Sequence, residues 1–159
     1  IKRAVLWMFG DLGMADWSLI PWGLAFITAG LFIAMKHARA LNSLMLGDDL
    51  SHSLGFSPRK EATILFVAVG LMTASSVSLG GMVGFIGLLM PHIMRVFTGS
   101  DNRLLIPASA FGGGALLVVS DLIGRTVIQP IEIPSGIITA IIGGPYFLYL
   151  LRRRDVLHP

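Results

Sequence analysis

The sequence predicts an all-α membrane protein built as a polytopic bundle of transmembrane helices, and three observations lead to this fold class. Hydrophobic residues make up 54% of the 159 residues and charged residues only 13%, whereas soluble domains carry about 25% charged residues. Several windows without Asp, Glu, Lys or Arg approach the roughly 20 residues that a helix needs to cross the hydrocarbon core. The basic residues cluster in the short gaps between these windows.

Five segments are predicted to be spans: 17–35, 61–79, 83–97, 104–120 and 133–151. The long window from Ala62 to Met94 has to be divided, because its 33 residues would form one helix of about 50 Å against a hydrocarbon core of about 30 Å. Gly80 and Gly81 lie near its middle, where the chain is expected to turn sharply. Pro91 is expected to kink the second of the two resulting helices.

The distribution of basic residues favours five spans over four. With five spans, one side of the membrane receives nine of the twelve Lys and Arg residues, and the positive-inside rule makes that side cytoplasmic. With four spans the two sides receive five and seven, which defines no orientation. The five-span arrangement places the N-terminus outside, the C-terminus inside and residues 36–60 in a cytoplasmic loop.

The predicted cytoplasmic loop has the pattern of two short amphipathic helices. Leu41, Leu44 and Met45 have helical spacing, and the Leu-Gly pairs at 46–47 and 54–55 are typical helix ends. Such helices either lie on the lipid headgroups as an interfacial connector or dock a cytoplasmic partner. The pattern alone leaves both interpretations open.

Few ionisable residues lie within the predicted spans. His92 follows Pro91 near the cytoplasmic end of its span, where a structural hydrogen bond is the favoured role. Asp121 and Arg125 are four residues apart on one helix, a spacing that favours a local ion pair over the presentation of Arg125 to an outside partner. We predict no catalytic residue, no metal site and no cofactor.

Several function classes lack their motifs. The sequence contains no GxxxxGK[ST] motif, so we do not expect this chain to hydrolyse ATP by a P-loop. The net charge of +3 is not arranged as a stripe or arm for nucleic acid. A membrane-embedded secondary carrier or enzyme is an alternative hypothesis, for which the spans offer only His92 and scattered Ser and Thr residues. A nonfunctional, truncated fragment is a third.

The motifs, taken in order, resemble those of the FecCD-type permeases of ABC importers for ferric siderophores, haem and vitamin B12. Each motif is weak alone, but their order and spacing hold along nearly the whole chain. The matching runs are Leu41-Asn42-x-Leu44-x-Leu46-Gly47, Ser53-Leu54-Gly55, Gly84-Phe85-Ile86-Gly87-Leu88-x-x-Pro91-His92, Asp101-x-Arg103, Asp121-x-x-x-Arg125 and Glu132-x-Pro134-x-Gly136.

This resemblance implies that residues 1–159 are the C-terminal half of a permease domain that has about ten spans and works as a dimer. The implied partners are cytoplasmic ABC ATPase subunits, which would hydrolyse the ATP, a periplasmic or lipid-anchored substrate-binding protein, a second permease subunit and membrane lipid. The implied location is the bacterial cytoplasmic (inner) membrane. Siderophore iron is the expected substrate, because most such permeases serve it.

The resemblance also implies roles for individual residues. Residues 36–60 would be the coupling loop that contacts the ATPase, with the key positions Asn42, Leu46, Gly47, Asp48, Ser51, Leu54 and Gly55. Arg125 matches an arginine that, in the vitamin B12 member, meets an acidic residue of the substrate-binding protein. The translocation pathway or the close packing of helices would involve Gly80, Gly81, Gly84, Gly87 and Pro91.

Overall fold

The computed structural model describes residues 7–127 and 132–155, and the long elements in these ranges are α-helices. The helices are α1 (Ile20–Lys36), α2 (Ala38–Leu44), α3 (Asp48–Ser53), α4 (Pro58–Gly80), α5 (Ile86–Thr98), α6 (Asn102–Thr126) and α7 (Ser135–Asp155). One turn of 3-10 helix, Leu12–Met14, precedes them. The description does not extend to Lys2, Arg3, the outer-loop residues 128–131 or the side chains of Asp48, Arg153 and Arg154.

The ends of the long helices follow local sequence signals. Helix α4 begins with Pro58, whose missing N–H is harmless in the first turn, and Glu61 in that turn complements the helix dipole. Helix α6 begins after Asp101, whose carboxylate accepts a hydrogen bond from the backbone N–H of Arg103 at 3.0 Å. The predicted spans therefore lie on observed helices, with boundaries shifted by a few residues.

The helices pack as two adjoining groups. Helix α1 packs along α4, and α6 packs against both α5 and α7. Glycines allow the α1–α4 approach: a Cβ at Gly23 would meet the side chain of Leu79, and one at Gly30 would meet Met72 and the Ala68 carbonyl oxygen. Such close packing through small residues is the usual way in which helices associate in lipid.

Three of the helices are long and apolar enough to cross a membrane individually: α4, α6 and the part of α7 up to Arg152. Helix α1 meets this test only together with α2, from which a bend of 56° separates it. Helix α5 has 13 residues, which is about 20 Å of helix against a core of about 30 Å. The predicted span 83–97 is thus a helix, but one too short to cross the membrane by itself.

The predicted break after Gly80 is present, and a second segment of the chain covers it. Gly81 has a φ of 73° and ends α4, and α5 begins at Ile86 rather than at the predicted residue 83. The chain near Gly10 lies against this break, since a Cβ at Gly10 would meet the Met82 carbonyl oxygen. The Gly10 carbonyl oxygen accepts hydrogen bonds from the Ser135 hydroxyl at 2.8 Å and from the Gly136 N–H at 3.2 Å.

Phe85, immediately before α5, has an unusual backbone conformation. Its φ of 68° places a non-glycine residue in the left-handed region, which is uncommon for a bulky side chain. Packing against α7 holds it there: a Cβ at Gly143 would overlap the Phe85 side chain. The start of α5 is therefore determined by contact with α7 and not by local propensity.

We predict that Gly81→Ala destabilises the protein. A φ of 73° costs a residue with a Cβ about 1–2 kcal/mol, and the new methyl group would overlap the Trp7 carbonyl oxygen. The combined loss should be at least about 2 kcal/mol, the level of a strained or overpacked site. Thermal unfolding of the full-length protein in detergent would measure it.

Gly84→Ala is the matched control for this substitution. No described atom lies within 4 Å of a Cβ at Gly84, and Gly84 is outside the left-handed region, so its unfolding midpoint should stay close to that of the unmodified protein. Equal midpoints for the two variants would show that the contact between Gly81 and Trp7 does not support the break.

Candidate functional site

Loop 36–60 contains the two short helices that its sequence pattern predicts. Helix α2 follows α1 after a bend of 56° at His37, and α3 follows α2 after a turn at Gly47. Gly47 and Gly55 both have positive φ, 104° and 84°, as expected for the Leu-Gly pairs that end these helices. The loop is therefore a folded element that can transmit a displacement.

Three large apolar side chains of the loop project outward, and we call them the apolar ridge. They are Met45, Leu46 and Leu54, which are 56%, 62% and 55% exposed. Cβ positions at the adjacent Gly47 and Gly55 have no described atom within 4 Å, so the surface around the ridge is open. These residues follow the ends of the two short helices.

Other loop residues face the interior of the fold. Ser51 is completely buried, and its hydroxyl has no hydrogen-bond partner among the described residues. Its backbone takes part in the turn after α3, where its carbonyl oxygen accepts a hydrogen bond from the Phe56 N–H at 3.1 Å. Of the positions that the family resemblance singles out in this loop, Ser51 therefore supports the loop from inside, whereas Leu46 and Leu54 are on its surface.

One polar contact ties the beginning of the loop to α4. His37, between α1 and α2, places its Nδ1 2.5 Å from the Oε2 of Glu61 in the first turn of α4. Both side chains are partly shielded, at 28% and 17% exposure. The partners are 24 residues apart, so this contact joins the bend between α1 and α2 to the first turn of α4.

A second set of polar contacts ties α2 to the beginning of α6, and we call Asn42, Asp101 and Asn102 the clasp. The Asn42 Nδ2 donates to the Asp101 Oδ1 at 2.8 Å. The Asn42 Oδ1 accepts from the backbone N–H and the Nδ2 of Asn102, at 3.0 and 2.7 Å. Asn102 is buried and also contacts the Met45 sulfur at 3.5 Å.

Sequence reasoning identified Asn42 but not its partners. Asp101 and Asn102 follow a Gly-Ser turn and precede an apolar run, which is a signal for a helix N-cap. That signal identifies Asp101 as a cap but gives no reason to pair it with a residue about 60 positions earlier. Only the packing of α2 on α6 brings the three residues together.

Arg125 forms the local ion pair that its spacing predicts. Its Nε lies 2.8 Å from the Asp121 Oδ2, and its Nη1 lies 4.0 Å from the Glu132 Oε2. The Arg125 side chain remains 42% exposed, so part of it is still available to an outside partner. The surface around Arg125 is therefore mixed in charge and not purely basic.

Of the five residues predicted for the pathway or for helix packing, the four glycines fall into two groups. Gly80 and Gly81 pack closely, because Cβ atoms there would meet Leu12 and the Trp7 carbonyl oxygen. Gly84 and Gly87 have no described atom within 4 Å of a Cβ position, so this chain leaves that face open. Pro91 lies inside α5.

His92 differs from its predicted role. Among the described contacts, its ring meets the ring of Tyr146 edge-on, with centroids 6.0 Å apart, and no side-chain hydrogen bond accompanies this contact. The interaction joins α5 to α7 through aromatic packing. It adds a second point of contact between these two helices, beside the packing of Phe85 at Gly143.

Comparison with known proteins matches residues 1–153 to the FecCD transport family. The hemin transport system permease protein HmuU of Yersinia pestis is 38% identical over 154 residues, covering 97% of this chain and 46% of HmuU. The cobalamin import system permease protein BtuC of Halobacterium salinarum is 40% identical over 157 residues, covering 98% and 42%. The Fe(3+) dicitrate transport system permease protein FecD of Escherichia coli is 41% identical over 154 residues, covering 96% and 48%.

A solved structure shares the fold. It is described as an inward-facing conformation of a metal-chelate type ABC transporter, and it superimposes with a TM-score of 0.85 at 25% sequence identity. The match covers 96% of this chain and 49% of that chain. The chain thus spans about half the length of the proteins it matches.

We predict that the Asp101 carboxylate stabilises the protein in a pH-dependent way. The backbone N–H of Arg103 and then the side-chain amide of Asn42 hold the pKa of Asp101 below its usual value. A lowered folded-state pKa means that the stabilisation is complete above the unfolded-state pKa of about 3.9 and is lost as the pH falls through the folded-state value.

The comparison of unmodified protein with Asp101→Asn tests this pH dependence. The difference between their unfolding midpoints should be constant from neutral pH down to about pH 4 and then shrink as the pH falls further, because an amide does not titrate in this range. A difference that stays constant down to pH 3, or that grows, would contradict the assigned hydrogen bonds of the carboxylate.

Proposed function

The chain belongs to the FecCD transport family, and from this premise we propose that it forms half of the transmembrane permease of a binding-protein-dependent ABC importer. The family membership and the apolar helices make it a multi-pass membrane protein. The proposed cargo is a metal chelate, with siderophore iron first and haem or vitamin B12 as the alternatives. The proposed location is the bacterial cytoplasmic membrane, with ATP hydrolysis on a separate subunit.

The apolar ridge on a folded loop is the observation that carries this proposal. Met45, Leu46 and Leu54 are exposed at the ends of short helices that polar contacts hold to α4 and α6. A connector that merely rests on lipid headgroups does not require such contacts. An element that an ATPase displaces does require such contacts, because a flexible loop would not pass its displacement on to the membrane helices.

Residues 36–60 are accordingly proposed as the coupling loop. The ridge would enter a cleft of a cytoplasmic ABC ATPase, where apolar side chains with a well-packed environment contribute most of the binding energy. Asn42 and Ser51 would support the loop from inside, and Gly47 and Gly55 would provide its turns. ATP-driven closure of two ATPase subunits would then move two permease halves relative to each other.

The open face at Gly84 and Gly87 is proposed as the part of the chain that faces the translocation pathway or the second permease subunit. Gly84 lies in the non-helical break before α5, and Gly87 lies in the first turn of α5, which is too short to cross the membrane. Non-helical backbone at membrane depth requires cover by protein or an aqueous cavity. A pathway along this face meets that requirement.

Arg125 is proposed to guide the docking of the substrate-binding protein at the outer face. Its guanidinium is partly exposed, and a cation at the rim of an interface mainly accelerates encounter with an acidic partner. The nearby Asp121 and Glu132 would keep the side chain extended and ordered, so that it is presented in one orientation.

We predict that loss of the ridge weakens the association with the ATPase. In the full-length permease, Leu46→Ser combined with Leu54→Ser removes two exposed leucines whose burial in a partner is worth about 1.5–3 kcal/mol each. Co-purification of the cognate ATPase should fall by about tenfold or more.

The control for the ridge is Leu122→Ser, which changes a leucine of similar exposure, 60% against 62% for Leu46, at the opposite end of α6. The control should co-purify with the ATPase like the unmodified permease. Full association of the ridge variant, with expression equal to that of the control, would overturn the assignment of loop 36–60 as the coupling loop.

We also predict that Arg125→Glu slows the association of the substrate-binding protein. Reversal of a rim charge should lower the association rate constant about severalfold and weaken its dependence on salt, while dissociation changes little. Surface-based kinetics with the full-length permease in nanodiscs would measure both rates. Arg125→Lys keeps the positive charge and is the control; equal association rates for all three proteins would remove Arg125 from the docking surface.

A further inference from the structure

We infer that Asn42 is the positioning residue through which the coupling loop moves helix α6, and that its clasp with Asp101 and Asn102 is the mechanical joint between them. The inference rests on the proposed function, because it concerns how a displacement received by the loop continues into the membrane. It assigns Asn42 a role inside the permease and not in the contact with the ATPase.

The clasp uses every polar atom of the Asn42 side chain except one amide hydrogen. The Nδ2 donates to the Asp101 Oδ1 at 2.8 Å, and the Oδ1 accepts from the Asn102 N–H at 3.0 Å and the Asn102 Nδ2 at 2.7 Å. One acceptor is a carboxylate, and hydrogen bonds to a charged group are roughly twice as strong as neutral ones. Three bonds from one short side chain leave little freedom for α2 to slide on α6.

The clasp is adjacent to the surface that would receive the push. Met45 and Leu46 of the ridge follow Asn42 by one helical turn, and the Met45 sulfur itself contacts the Asn102 Nδ2 at 3.5 Å. A displacement of the ridge therefore reaches the clasp without passing through any flexible segment. The Asn102 side chain is buried beneath this contact, so its two hydrogen bonds to Asn42 are shielded from competing water, whereas Asp101 is exposed.

Helix α6 is suited to carry the displacement across the membrane. It has 25 residues without a break, which makes it about 37 Å long. Its first residues belong to the clasp, and its last turn bears Asp121 and Arg125 at the proposed docking surface for the binding protein. It also packs on α5 and α7, so its movement would carry the open face at Gly84 with it.

The second polar contact of the loop connects it to a different helix. His37 meets Glu61 on α4, and α4 packs with α1 in the other group of helices. The two contacts therefore connect one loop to the two helix groups separately, and only the clasp connects it to α6 through several hydrogen bonds. A selective weakening of the clasp should leave the loop folded on α4 but mechanically separated from α6.

An isosteric charge exchange tests the clasp. Asn42→Asp keeps both bonds from Asn102 but replaces the donor to Asp101 with a second carboxylate, which repels it. Adding Asp101→Asn removes the repulsion between the two carboxylates. The Asp101 Oδ1 accepts from both the Asn42 Nδ2 and the Arg103 N–H, so the amide at position 101 can replace only one of these two contacts at a time. The full-length permease with its ATPase and binding protein would be reconstituted in proteoliposomes to measure chelate transported per ATP hydrolysed.

We expect Asn42→Asp to assemble with the ATPase and hydrolyse ATP while chelate transport per ATP falls about tenfold, the loss expected for a hydrogen bond to a charged group. The combined variant Asn42→Asp, Asp101→Asn should recover transport per ATP by about threefold or more relative to Asn42→Asp, because the repulsion between the two carboxylates is removed. If Asn42 instead contacted the ATPase, a substitution at position 101 would not restore transport. Rescue by Asp101→Asn therefore distinguishes the clasp from such a contact.

Three results would overturn the inference: normal transport per ATP in Asn42→Asp, no recovery in the combined variant, or loss of ATPase association comparable to that of the ridge variant. If Asn42→Asp does not accumulate in the membrane, Asn42→Ala replaces it in the same assay. Its chelate transport per ATP should also fall about tenfold, and a normal value would overturn the inference. The ridge variant separates this inference from the proposed function, because full ATPase association after loss of Leu46 and Leu54 would reject the coupling loop itself.

Discussion

Lipid offers no hydrogen-bond partners to a polypeptide backbone, and this constraint governs the structure between α1 and α7. Long helices satisfy their own backbone groups and need only apolar side chains outside. The backbone of the break between Gly81 and Phe85 lacks the regular pairing of a helix, and the segment around Gly10 covers it at Gly81 and Met82, whereas Gly84 stays open. The Ser135 hydroxyl and the Gly136 N–H bind the Gly10 carbonyl oxygen in turn, so three distant segments close over one short stretch of irregular backbone.

The loop on the proposed cytoplasmic side follows a different rule. Water can satisfy the polar groups of the loop, so the need for backbone hydrogen bonds does not by itself hold the loop helices in one position. Two polar contacts supply it, the pair of His37 with Glu61 and the clasp of Asn42 with Asp101 and Asn102. Between these contacts the loop turns its small residues inward and leaves Met45, Leu46 and Leu54 exposed. The same arrangement that fixes the loop therefore creates the surface available to a partner.

The sequence predicted most of the helical architecture because hydrophobic windows and helix-terminal residues are local signals. The division at Gly80–Gly81, the two short helices in loop 36–60 and the ion pair of Asp121 with Arg125 are all present. The prediction placed the start of α5 three residues too early, because the left-handed conformation of Phe85 depends on its packing at Gly143. Within residues 7–127 and 132–155, His92 makes a ring contact with Tyr146 and not the expected hydrogen bond, and this contact depends on the packing of α5 against α7.

The sequence by itself determined that the chain is a helical membrane protein of the FecCD type, since composition, charge placement and motif order are all readable along one dimension. Only the tertiary structure decided which of the predicted loop residues are exposed and which support the loop, and which glycines pack and which remain open. Burial and pairing are properties of segments that meet in space. No pattern along the chain relates Asn42 to Asp101, 59 residues apart, until the packing of α2 on α6 brings them within hydrogen-bond distance.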